Sequence, residues 1–321
     1  MAPSAVIVSV ARTALGRPRG VFRDLDAGDL GRVALGAALA RGRLPADEID
    51  AVCLASEALS PETRAMLQGV GVAGVPCEAC GPGLMAVVRA VRQIDSGGRG
   101  QILVAGSVST GGAPMRTAPA GGGEGAVVAR RRRAWEQARA AAARGDWTWE
   151  TVPVPVTAPE GMTRVEQDEL DDVAPLASPP GADGAAAIGL LSAALARTRG
   201  LRPLATVVGH TVADSVLDAE AQLLQELGWS PAQVDLWEIE GSDVEARRQA
   251  LAIPPERINV LGGAEGLGYL GAADGLRRLV SLVGALRRRG GLRGVVSASG
   301  PLAAAVAIEL EGGVACGARR R

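Results

Sequence analysis

The sequence predicts an α/β protein built from two similar halves. Three observations carry that expectation. Apolar strand-like runs alternate with Ala- and Leu-rich helix-like stretches. A helix end, a proline turn and an apolar strand occur together twice. The first copy is Leu44-Pro45-Ala46-Asp47-Glu48-Ile49-Asp50-Ala51-Val52 and the second is Trp229-Ser230-Pro231-Ala232-Gln233-Val234-Asp235-Leu236-Trp237. Each copy is followed by a helix, a pair of glycines and another strand. A repeat this long implies two copies of one unit. The alternation within each copy implies a mainly parallel sheet covered by helices.

In chain order, Val6-Ile7-Val8-Ser9-Val10 reads as the first strand. Residues 81–94 read as an Ala/Val-rich helix, and Gln101-Ile102-Leu103-Val104-Ala105-Gly106 as the strand after it. Residues 271–286 read as the matching helix, Gly290-Gly291 as its stop, and Gly294-Val295-Val296-Ser297-Ala298 as the matching strand. The stretch 111–181 is rich in Gly, Pro and Ala, with a helix-like piece at 131–144 and a Pro-alternating extended piece at 151–156. Such a stretch is too irregular for a third core and reads as a lid or small insertion over the site. The expected division is therefore 1–110, 111–181 and 182–314, with a frayed tail at 315–321.

With 321 residues, 47% of them hydrophobic, the chain is long enough for one large core or two fused halves. A net charge of −1 leaves no global basic field to draw nucleic acid. No apolar run reaches the length of a membrane span. No signal peptide precedes the first strand, so a cytosolic, reducing location with free thiols is expected. The run Arg130-Arg131-Arg132-Arg133 is either a solvated helix start or a contact for a phosphate-bearing ligand such as coenzyme A.

The chemistry centres on Cys80, in Pro76-Cys77-Glu78-Ala79-Cys80-Gly81-Pro82-Gly83-Leu84. An extended segment gives way to a helix there, so the thiol is set over a helix N-terminus that favours thiolate. A thiolate so placed can attack a thioester carbonyl and carry the acyl group. The single histidine, His210, reads as a structural residue at a strand end. Cys77 and Cys80 form a CxxC, the spacing of redox pairs and half zinc sites. With Cys53 inside a strand and His210 remote, no metal is expected. A Cys77–Cys80 disulfide stays open and would mask the nucleophile. Aligning the two helix starts sets Tyr269, the only tyrosine, opposite Cys80. It ends the glycine-rich approach Leu261-Gly262-Gly263-Ala264-Glu265-Gly266-Leu267-Gly268-Tyr269. Two converging helix N-termini suit anionic groups and developing oxyanions.

At these residues the sequence resembles the thiolases. The opening Val6-Ile7-Val8-Ser9-Val10-Ala11-Arg12-Thr13-Ala14-Leu15-Gly16-Arg17 looks like the thiolase N-terminus, and Phe22-Arg23-Asp24-Leu25 and Asp29-Leu30-Gly31 continue the match. Ala79-Cys80-Gly81-Pro82-Gly83-Leu84 looks like the nucleophile motif, with Pro82 where Ser is common. Ala182-Asp183-Gly184-Ala185-Ala186-Ala187, Gly262-Gly263-Ala264 and Arg289-Gly290-Gly291 resemble later motifs, over about 250 residues in all. The resemblance implies the five-layer αβαβα fold, made of two pseudo-twofold-related halves, and a dimer as the basic unit. It also implies a coenzyme A or carrier-bound acyl thioester as substrate, with no permanently bound cofactor.

The departures are as informative as the match. The family's histidine position reads Tyr269, followed by Leu270 rather than proline. Its asparagine motif reads Glu240-Gly241-Ser242-Asp243, and its second cysteine reads Ser297. Backbone N–H groups of Cys80 and near Ser299 are expected to form an oxyanion hole, with Gly268, Ser299 and Gly300 against the thioester. Ser297 is a poor base, Glu240 can replace it if desolvated, and Tyr269 can donate to an oxyanion or act as acid. Three functions follow. The chain is an acyltransferase acting through Cys80 as homodimer or heteromer, a degenerate partner subunit of an acyl-processing complex, or an aldolase-type lyase using Tyr269.

Overall fold

The structure is a computed structural model and describes residues 5–109, 124–159, 161–170, 181–240 and 243–311. All nine residues of the first strand, β1 (Ala5–Thr13), are buried. Ala5, Ile7 and Val10 face one apolar cluster, while Val6, Val8 and Ala11 face another. The period-two alternation shifts by one residue where the register slips between Ile7 and Ser9. A strand covered on both faces reads as a continuous apolar run for this reason.

From β1 the chain passes through α1 (Ala27–Gly42), β2 (Ala51–Leu54), α2 (Pro61–Gly69), β3 (Cys77–Ala79), α3 (Gly83–Asp95) and β4 (Gln101–Val108). Asp26 and Asp29 close a reciprocal capping box on α1, and Ser60 caps α2 ahead of Pro61. Then come α4 (Glu124–Arg144), β5 (Thr151–Val152), and the hairpin β6 (Val154–Ala158) with β7 (Gly161–Val165). β8 (Gly184–Ser192) and α5 (Ala193–Thr198) follow. The second set is β9 (Ala205–Ala213), α6 (Val216–Leu227), β10 (Leu236–Ile239), α7 (Val244–Ala250), α8 (Gly263–Leu267), α9 (Asp274–Arg289), β11 (Arg293–Ala298) and β12 (Ala303–Leu310). Both proline turns of the repeat are 3₁₀ turns, Ala46–Glu48 before β2 and Pro231–Gln233 before β10.

The strands run in the order β10-β11-β12-β9-β1-β8-β4-β2-β3. Read outward from the middle, each side gives first strand, last strand, penultimate strand, second strand. On the second side a single bridge from Trp237 to Ile258 stands where β3 stands on the first. The two sides meet through short antiparallel pairing, Val6 with Thr206 and Ile7 with Ala205. The mainly parallel sheet expected from the repeat is in fact mixed. β2 pairs parallel with β3 and β4, and β10 with β11, but β8 and β12 run antiparallel to both neighbours. The short turn joining β11 to β12 permits only antiparallel pairing, since a parallel return needs a long crossover. The break expected at residue 182 falls just before β8, which is hydrogen-bonded between β1 and β4.

Three apolar clusters define five layers. One lies between α1, α2 and the first-half strands, one between α6, α7 and the second-half strands, and the largest surrounds α3 and α9 in the middle. The central helices touch through glycine. A Cβ on Gly83 would sit 2.6 Å from the Leu276 nitrogen, and one on Gly275 would sit 3.1 Å from the Leu84 nitrogen. This reciprocal contact marks the pseudo-twofold between the halves. α4 starts earlier than the helix-like piece read at 131–144, and it packs over the α8 approach: a Cβ on Gly266 would meet the Ala134 carbonyl at 2.3 Å.

Candidate active site

The surroundings of Cys80 follow from strand register. β2 and β3 are parallel, with Cys53 opposite Glu78. Side chains two apart on a strand share a face, so Cys53, Glu78 and Cys80 all point to the same side. Their sulfurs and a carboxylate oxygen lie within 4.8 Å of one another. Cys77 points to the opposite side and packs against the α1–α2 cluster. The CxxC is therefore split across the sheet, and a Cys77–Cys80 disulfide does not fit this arrangement. Cys53, Cys77 and Cys80 are free thiols, and Cys316 lies outside the described residues.

The Cys80 Sγ donates to the Glu78 carbonyl at 3.5 Å, and the thiol is lowered from its ordinary range chiefly by its contact with Cys53, against desolvation and the nearby Glu78 carboxylate. Contact with Cys80 and burial push Cys53 up in turn. Burial raises Cys77 to about 11. Glu78 is itself held by Arg89 at 2.9 Å and by Gln93 at 3.2 Å. The Cys80 N–H donates to the Leu54 carbonyl at 2.9 Å, extending the β2–β3 pairing. The oxyanion hole expected of that amide is thus already taken by the sheet.

Tyr269 belongs to a different set of groups. Its phenol lies near Glu240 and Asp274, and burial with those carboxylates pushes it well above its ordinary value. Glu240 accepts from Arg278 at 2.5 Å, and Arg278 also reaches Asp274 at 2.8 Å and the Ser297 carbonyl at 2.8 Å. Burial raises the Glu240 carboxyl and Arg278 draws it back. The reciprocal glycine contact aligns Gly83 with Gly275, which places Ala272 rather than Tyr269 opposite Cys80. The sequence alignment was three residues out because helix starts were matched by glycine content, not by contact.

The comparisons with known proteins fit this architecture. The chain matches the description "Thiolase, N-terminal domain" over residues 5–122 and "Thiolase, C-terminal domain" over 179–312. It belongs to the thiolase family. An acetyl-CoA acetyltransferase of Rhizobium meliloti (strain 1021) is 29% identical over 381 aligned positions, covering 92% of this chain and 95% of that protein. A cytosolic acetyl-CoA acetyltransferase of Mus musculus is 29% identical over 373 positions, covering 91% and 94%. Both alignments have more positions than this thiolase has residues, so the relatives carry segments it lacks. In structure, the Bacillus anthracis acetyl-CoA acetyltransferase superposes with a TM-score of 0.85 at 21% identity, over 97% of this chain and 99% of that one. That likeness establishes the mixed α/β thiolase fold.

Within this thiolase, Ser297 is a core residue. It is fully buried, and its hydroxyl donates to Glu220 at 2.5 Å while Arg247 holds the same carboxylate oxygen at 2.8 Å. Ser299 and Gly300 lie exposed in the turn after β11, and a Cβ on Gly300 would approach Pro82 to 3.3 Å, so this turn borders the Cys80 loop. Gly268 takes a φ of 100°, open to glycine and strained for other residues, just before Tyr269. Asp243 pairs with Arg247 at 3.3 Å, while Gly241 and Ser242 lie outside the described residues.

His210 is mid-strand in β9, opposite Val306, not at a strand end. The charges acting on it are Arg92 and Asp95 in the last turn of α3 and Glu226 of α6. Cys80 precedes the first turn of that 13-residue helix, which is about 20 Å long, so the two are far apart. The arginine run is also not a helix start. It lies inside α4, where Arg130 pairs with Glu265 of α8 at 2.8 Å and Arg131 is buried. The sequence reading missed Glu220, Arg247, Glu238 and Arg278 as site neighbours. The one available signal was an acid or arginine at an otherwise apolar helix or strand position, which marks a buried pair. No helix among the described residues is long and apolar enough to cross a membrane.

Proposed function

We propose that this thiolase accepts an acyl group from an acyl thioester onto Cys80. The observation that carries the reading is the Cys80 thiol itself. It is half-buried just before α3, with the Cys53 sulfur within 4.8 Å, and that contact lowers it from its ordinary value. The relatives are acetyl-CoA acetyltransferases by name, which supports coenzyme A thioesters as donors. The Cys80 sulfur attacks the carbonyl carbon, a new thioester bond forms, and the donor thiol leaves with the proton. Later transfer or carbon–carbon bond formation needs a base. Ser297 is committed to Glu220, so Glu240, a carboxyl raised by burial next to Tyr269, is the base that remains. We take the working unit to be a homodimer or a heteromer, as the family resemblance implies.

A second reading, a catalytically degenerate partner subunit, is favoured by two specific observations. The Cys80 amide is committed to Leu54, and Ser297 is sealed in the core. An aldolase-type lyase using Tyr269 has less support, because a phenol pushed up by burial and by Glu240 gives up its proton poorly. Intact-mass measurement after incubation with a panel of acyl-CoA thioesters decides between the first two. An acyl adduct on the wild type that is absent from Cys80→Ala supports the nucleophile. No adduct with any thioester removes this reading in favour of the partner subunit.

A further inference from the structure

The register that gathers Cys53, Glu78 and Cys80 has a second chemical meaning. Two sulfurs and a carboxylate oxygen are a zinc-type donor set. We propose that these three side chains bind one thiophilic divalent cation, and that the bound cation masks Cys80. The masking rests on the acyl-acceptor reading above; the binding does not.

Four features support the site. The three ligand atoms already lie within 4.8 Å of one another. A tetrahedral zinc centre needs about 3.5–3.8 Å between ligands, a closure within reach of side-chain rotation. Glu78 is oriented by outer partners, accepting at Oε2 from Arg89 Nε at 3.0 Å and Gln93 Nε2 at 3.2 Å and pairing at Oε1 with Arg89 at 2.9 Å, as ligating carboxylates are held in metal sites. The electrostatics are also suited. A Cys80 thiolate beside Glu78 would set two anions together, with Arg89 paired to Glu78 at 2.9 Å. A metal ion between them removes that repulsion. Finally, Cys53 is fully buried while Cys80 and Glu78 are partly exposed, so the site has a closed floor and an open side for a solvent ligand.

The test uses the full chain, reduced and stripped with a chelator. Cobalt(II) is titrated while the thiolate-to-cobalt charge-transfer absorption is followed, then zinc is added in competition. One equivalent of cobalt is expected to bind and to be displaced by zinc. The band is expected to vanish in Cys53→Ala, to weaken in affinity roughly tenfold or more in the half-exposed Glu78→Gln, and to persist in Cys77→Ser. Zinc is also expected to protect Cys80 from alkylation. No band, a band that survives Cys53→Ala, or a band lost in Cys77→Ser overturns the site. If Cys53→Ala does not fold, Glu78→Gln and Cys77→Ser still separate the outcomes. Cobalt binding without acyl adducts leaves the metal site standing and removes the acyl-acceptor reading; adducts without cobalt binding do the reverse.

Discussion

Cys80 stands out in the sequence as the candidate nucleophile because its flanking glycines and proline are local features. Its partners were not, because Cys53 reaches it only through strand pairing. The same limit hid Glu238, which sits between buried Trp237 and Ile239 in β10. Burial pushes its carboxyl up to about 7, with Arg277 and Arg278 opposing, and its Oε2 has no partner. The folded state therefore holds this proton between the unfolded value near 4.5 and about 7. Its contribution to stability is greatest at low pH and is lost as pH rises through that window. Glu238→Gln keeps the neutral shape, so it should raise stability at pH 8 by up to about 3 kcal/mol and change little at pH 4.5. Urea unfolding at both pH values checks this. An equal effect at both would mean that the carboxyl is not held neutral by the fold.

At the scale of elements, α9 is the clearest case of tertiary override. Its sequence, Asp-Gly-Leu-Arg-Arg-Leu-Val-Ser-Leu-Val-Gly-Ala-Leu, reads as amphipathic, yet residues 274–286 are all buried. Arg277 and Arg278 are tolerated there because Asp274 accepts from both and Glu240 accepts from Arg278. The close approach of α3 to α9 is set by Gly83, whose missing Cβ leaves room for the Leu276 nitrogen and the Ala272 carbonyl. Backbone atoms cannot swing aside, so Gly83→Ala should cost about 1–3 kcal/mol by forcing the helices apart. Gly36, in α1, has only Val70 near it at 3.7 Å, so Gly36→Ala should gain about 0.5–1 kcal/mol from helix propensity. Denaturant midpoints of the two variants should move in opposite directions. Movement in the same direction would remove the packing argument for Gly83.

For the whole molecule, one buried arginine ties the segment between the halves to the body. Arg12 of β1 donates to Glu150 at 2.7 Å and to both oxygens of Asp168 at 2.6 and 2.9 Å, with all three side chains essentially out of solvent. Ser281 of α9 also donates to Glu150 at 2.9 Å. Arg12→Met should leave two buried carboxylates without their cation, at a cost of about 3–5 kcal/mol. Limited proteolysis should then cut within 124–170 before the rest of the chain. Cleavage at the wild-type rate would show that the clamp does not hold this segment.

The repeat, the strand and helix order and the family pattern were determined by the sequence alone, because periodicity and turn chemistry are local and occur twice in order. The Cys80 motif was readable for the same reason. Tertiary structure decided the mixed direction of the sheet, since pairing partners are chosen between segments distant along the chain. It also decided that Ser297 closes onto Glu220 and that Tyr269 lies beside the buried Glu240. It split the CxxC across two faces and brought Cys53 to Cys80 instead. Side-chain alternation puts neighbours in sequence on opposite faces of a strand, while register brings distant residues onto one, and register is a property of the assembled sheet.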